Sequence, residues 1–93
     1  MSIETDIKNY YEDLVVFEIL RQSAALGITR DEYDDVACVA LNKLPPRYYR
    51  HSVDIAFYIS ETEASEIEAK VAQAVADAAA FVRTQLGKKS HRA

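Results

Sequence analysis

Residues that break or turn a chain are scarce here. Two glycines and two prolines serve 93 residues. So few breakers argue against many short strands and leave long elements joined by few loops. Cysteine occurs once, at Cys38, which excludes an internal disulfide and a multi-cysteine zinc site and fits a reducing compartment. No apolar run escapes interruption by charge, so no segment is expected to span a membrane. The opening residues MSIETDIKNYY have neither the basic nor the apolar region of a secretion signal. The expected location is therefore cytoplasmic. A basic surplus is also missing: the net charge is −4, whereas duplex-binding proteins are usually basic over a broad face. HExxH, CxxC, GxSxG and a glycine-rich phosphate loop do not occur, so no enzymatic chemistry is expected.

What is present reads as one mainly α-helical domain over residues 1–87, followed by a flexible basic tail at 88–93. The 49% hydrophobic and 28% charged fractions are those of a globular protein. A first helix is expected over residues 6–26, with Ile7, Tyr10, Leu14, Phe17 and Leu20 recurring at spacings of three and four. Tyr11, Val15, Val16 and Ile19 widen its apolar surface enough to predict burial on two sides, one against the domain and one against a second subunit. Gly27 is placed to close it. Thr29 and Glu32 fit a capping box opening a second helix, whose apolar residues run through Leu44 until Pro45 ends it. Val53, Ile55, Phe57 and Ile59 then alternate with mostly polar residues, which predicts a short β-strand after the Pro-Pro turn, paired either with a hairpin partner that the sequence does not identify or with its copy in a dimer. A short helix is the alternative for these residues. Ser60 and Glu63 open a third and longest helix, with Ile67, Val71, Ala74, Ala78 and Phe81 along its seam and Gly87 as its stop.

The stretch at residues 41–51, LNKLPPRYYRH, breaks both helix and charge. Residues 1–42 carry nine acids and three bases, and residues 54–87 carry six acids and two bases. Residues 43–53 carry three bases and no acid. A local basic segment in an acidic chain suits a small anionic ligand. A guanidinium at Arg47 or Arg50 can donate a bidentate pair to phosphate or to a guanine edge. The rings of Tyr48 and Tyr49 can stack on a base. Asn42 and Lys43 stand at the rim, and two consecutive prolines hold the segment rigid before binding. The bland alternative is that Pro45 and Pro46 pin a helix to a strand, with the tyrosines packed and the arginines solvated.

Other candidates carry less. Cys38 lies among Val36, Ala37, Val39 and Ala40 and is expected to be buried. His51 and Asp54 fall on opposite faces of the expected strand, which argues against a metal or acid–base pair. The acids Asp31, Glu32, Asp34 and Asp35 suit a helix start.

The run DVACVALNKLPPRY from Asp35 to Tyr48 resembles the signature of the ComFB family of late competence development proteins. NYYEDLV at Asn9 to Val15, and the helix after the motif, are similar in placement. The matching motif residues are Asn42, Leu44, Pro45, Pro46, Arg47 and Tyr48. The resemblance implies a small, mainly helical, bacterial domain that forms a symmetric homodimer without enzymatic activity. Some members bind zinc through several cysteines, a site that Cys38 alone does not carry over. Others are receptors for cyclic di-GMP or cyclic di-AMP. The resulting expectation is a cyclic dinucleotide receptor that signals to an unknown effector protein. Its expected ligand-binding residues are Asn42, Lys43, Pro46, Arg47, Tyr48, Tyr49 and Arg50, with no other cofactor and no metal. Arg47→Ala is expected to weaken binding with little loss of stability. The alternatives are a dimeric interaction module without a small ligand and, disfavoured by the acidic surroundings, a single-stranded nucleic-acid binder.

Overall fold

A computed structural model of the chain describes residues 6–89. Three helices and a two-stranded ribbon build it: β1 (Ile7–Asn9), α1 (Tyr10–Leu26), α2 (Tyr33–Asn42), β2 (Tyr48–Arg50) and α3 (Glu61–Lys89). Short 3₁₀ turns at Arg30–Glu32 and Ile55–Phe57 precede α2 and α3. No helix among the described residues is long and apolar enough to cross a membrane.

The third helix packs against both others. Ile67, Val71, Ala74, Val75, Ala78, Ala79 and Val82 form its buried face, and the alanines among them allow close helix approach. They meet Tyr11, Val15 and Ile19 of α1 and Val36 and Ala40 of α2 in one core. Val15, Val36, Val71 and Val75 are the largest fully buried side chains, each contributing about 1.5–3 kcal/mol relative to exposure. Gly27 closes α1 as expected. It takes the left-handed conformation at φ 69°, its N–H donates to the Ser23 carbonyl, and Arg83 donates to its own carbonyl. The Glu32 carboxylate reaches back to the Thr29 N–H at 2.8 Å, the glutamate half of the expected capping box.

Several expectations are corrected. The first helix starts at Tyr10, because Ile7–Asn9 is a strand. The strand after Pro45 and Pro46 lies at Tyr48–Arg50, not at residues 53–59. Its partner is β1 of the same chain, antiparallel, with Ile7 opposite Arg50, Lys8 opposite Tyr49 and Asn9 opposite Tyr48. Residues 53–59 instead take the short-helix alternative, as a single 3₁₀ turn at Ile55–Phe57 capped where Asp54 Oδ1 accepts from the Ala56 N–H at 2.9 Å. Alternation there was real, but local side-chain capping and the burial of Ile59 satisfied it without a ladder. Cys38 is exposed: two residues beyond the buried Val36 it lies about 200° around α2. On α1 the buried face is Tyr11, Val15 and Ile19, whereas Phe17 and Leu20 are exposed. Phe81, expected on the α3 seam, is exposed too. That helix runs through Gly87 to Lys89, and residues 90–93 of the expected tail lie outside the described residues.

One side chain joins the ribbon to the helices. Asn9 Oδ1 caps α1 by accepting from Tyr11 N–H at 3.2 Å and also accepts from Arg47 N–H at 3.0 Å. Asn9→Ala removes a helix cap and leaves a partly buried N–H without its acceptor, so it should cost about 1–3 kcal/mol. Asn9→Asp, which keeps the acceptor, should cost less. Urea denaturation of both variants checks this, and equal losses for the two would contradict it.

Candidate functional site

The sequence around the two prolines determines where each candidate side chain goes. The second helix ends at Asn42, and Lys43 and Leu44 complete its last turn by donating to the carbonyls of Ala40 and Leu41. Leu44 is buried and anchors the turn, while Pro45 and Pro46 are exposed. From Arg47 the backbone is drawn into the ribbon. Tyr10 N–H donates to the Arg47 carbonyl and His51 N–H to the Asp6 carbonyl, both at 2.6 Å, extending the pairing at each end. Asp6 secures the far end further by accepting from the Ser52 N–H at 3.0 Å and from the Ser52 hydroxyl.

Alternation along β2 then divides the candidates. Tyr48 and Arg50 share one face of the ribbon and are exposed, while Tyr49 takes the other. Its ring packs edge-on to Tyr10, with centroids 6.1 Å apart, and lies 6.4 Å from both Tyr58 and His51. Tyr49 is thus part of an aromatic cluster that seats the 51–59 segment. Tyr48 is 59% exposed. Arg50 has a loose ion pair with Asp6 at 3.8 Å. Asn42 and Lys43 are exposed at the end of α2.

Arg47 is engaged differently. Its two terminal nitrogens donate to the two carboxylate oxygens of Glu63, one of them at 3.2 Å, and Nη2 also donates to the Tyr58 carbonyl at 2.6 Å. One guanidinium therefore ties β2, the 51–59 segment and the start of α3 together. The expectation that Arg47→Ala would leave stability nearly intact does not fit this geometry, because the variant removes the contacts to both the 51–59 segment and the start of α3. The pair holds the Glu63 carboxyl below its ordinary value, chiefly through the Arg47 hydrogen bond, and raises the guanidinium in turn.

Arg47 and Glu63 line a groove of about 270 Å³ with Tyr11, Pro45, Pro46 and Lys70. A neighbouring, more open groove is lined by Lys43, Leu44, Pro45, Lys70, Gln73 and Asp77. Pro45 and Lys70 belong to both, so Lys43, Lys70 and Arg47 stand along one side of α3 beside Pro45. Lys70 was missed from sequence. Its only signal was that it is one of two bases in residues 54–87.

On the opposite side of the molecule's α1–α3 contact, Leu14, Phe17, Glu18, Arg21, Glu68, Ala69 and Ala72 line a further cavity of about 480 Å³. Glu18 is buried there but fully answered. Arg21 Nε donates to it at 3.1 Å, Gln22 donates to it at 2.5 Å, and Gln22 also reaches the Ala72 carbonyl at 3.2 Å.

Three carboxyls are held below the ordinary glutamate value of 4.5: Glu18 by its Arg21 hydrogen bond, Glu32 by the Thr29 N–H, and Glu63 by Arg47. Groups with depressed folded values contribute stability that is complete above the unfolded value and is lost as pH falls through the folded one. The melting temperature should therefore stay level above about pH 5 and fall below it. Glu18 is 12% exposed and Glu63 38% exposed at the side chain, so solvent screens the Glu63 pair more. Glu18→Gln should flatten the acid limb more than Glu63→Gln. Melting curves from pH 7 to pH 3 read this directly, and the reverse order would contradict it.

The family model described as late competence development protein ComFB matches residues 8–85, so the chain belongs to that family. No curated protein and no solved structure matches it.

Proposed function

We propose that this ComFB-family chain is a non-enzymatic, cytoplasmic receptor for a cyclic dinucleotide, cyclic di-GMP before cyclic di-AMP, working as a symmetric homodimer that relays occupancy to an effector protein. The observation that carries the reading is the placement of Lys43, Arg47 and Lys70 along two adjoining grooves beside Pro45 and Pro46, with Arg50 exposed on the strand that follows, in a chain of net charge −4. It joins the ligand class that the family resemblance implies. Tyr48 offers the exposed ring for stacking on a base, and Arg50, its neighbour on the same ribbon face, offers the donors for phosphate or a guanine edge. Asn42, Lys43 and Pro46 form the rim. Tyr49 acts from beneath by fixing the strand through its aromatic cluster.

The second subunit has a place in this reading. Val16, Phe17 and Leu20 are all more than half exposed on α1, and a second subunit would cover them. The same face supports the alternative of a dimeric interaction module that takes no small ligand.

Calorimetric titration with cyclic di-GMP, cyclic di-AMP and a linear dinucleotide control tests the receptor reading. Saturable, base-selective binding is expected, with Tyr48→Ala weakening it by about 1–3 kcal/mol through lost stacking and Arg50→Ala also weakening it. Absence of binding by either cyclic dinucleotide would refute the receptor and leave the interaction module. Separately, light scattering at micromolar concentration should give about twice the chain mass of 10.5 kDa. Phe17→Asp should return the monomer mass. A monomeric wild-type chain would remove the dimer.

A further inference from the structure

We infer that Glu63 is an internal competitor for Arg47, so that an incoming phosphate takes the guanidinium only by displacing this carboxylate. The inference rests on the anionic-ligand reading above and concerns how that site is regulated.

Four observations point to it. First, the carboxylate occupies the guanidinium through two nitrogens, the fork geometry that a phosphate also uses. Second, Glu63 is not needed there by its own helix. Its N–H already donates to Ser60 Oγ at 3.1 Å, the hydroxyl half of a capping box, yet its carboxylate is directed to Arg47 across the turn. Third, the pair is reachable. Its side chains are 36% and 38% exposed in a groove bordered by Pro45, Pro46 and Lys70. Fourth, Arg47 also holds the Tyr58 carbonyl at 2.6 Å. Exchange of Glu63 for phosphate would therefore alter how the 51–59 segment and the start of α3 are held, which gives the site a route by which occupancy changes shape.

A competitor of this kind lowers apparent affinity by the fraction of time that it occupies the arginine. Removing its charge should tighten binding, whereas a purely supporting residue should weaken binding when removed. Glu63→Gln keeps the size and a hydrogen-bond acceptor, and Glu63→Asp keeps the charge but shortens the reach. Each variant is compared with wild type by calorimetric titration of cyclic di-GMP, with circular dichroism to confirm the fold.

The expected result is about threefold to tenfold tighter binding for Glu63→Gln, a smaller gain for Glu63→Asp, and loss of the gain when Arg47→Gln is added. The Asp variant carries the test alone if the Gln variant does not fold. Binding by a folded Glu63 variant that is unchanged or weaker than wild type overturns the competitor and leaves the receptor standing. Binding by neither overturns both.

Discussion

A single amide oxygen, Oδ1 of Asn9, accepts from the N–H of Tyr11 and from the N–H of Arg47. The first bond starts α1 and the second fixes where the chain goes after Pro45 and Pro46. Because Asn9 also faces Tyr48 in the ribbon, one residue sets the helix start, the strand register and the position of Arg47 together. The Arg47 side chain then extends this hold to Tyr58 and Glu63. A chain of 93 residues has little core to spare, so a few such junctions decide how the segment between α2 and α3 lies. The candidate site is built on this junction and not on a separate loop.

The helices were legible in the sequence because their signals are local. Apolar spacing, a glycine after α1 and capping residues before α2 and α3 each act within a turn or two. What was not legible depends on pairs distant in sequence. Ile7 and Lys8 look like the start of an amphipathic helix, and only the arrival of Tyr49 and Arg50, some forty residues later, makes them a strand. The alternation at residues 53–59 predicts a ladder, but period-two patterning does not distinguish a strand from a capped 3₁₀ turn with one buried isoleucine. On α1 the apolar surface was broad enough that periodicity did not choose between Phe17 and Val15, and packing against α3 chose Val15. The burial expected of Cys38 came from its apolar neighbours, whereas its angular position on α2 puts it outside.

The candidate site was legible as a segment but not as an arrangement. Residue types around the prolines picked out the basic stretch, and the family match covers it. They did not show that strand alternation sends Tyr48 and Arg50 one way and Tyr49 the other, or that Arg47 is already engaged. Nor did they bring Lys70 to the turn, since that requires α3 to pass beside it. The division matters for mechanism. In the proposed receptor, exposed groups with loose partners would meet the ligand directly, while a guanidinium paired to a carboxylate would meet it only by exchange, and exchange would link binding to shape.

The most direct measurement is an amide chemical-shift map of the labelled protein titrated with cyclic di-GMP. The account predicts a contiguous set of shifted amides at residues 42–50, continuing through Tyr58 to Glu63 and around Lys70. Shifts centred on the α1 face at Val16, Phe17 and Leu20, or no shifts at saturating ligand, would contradict it.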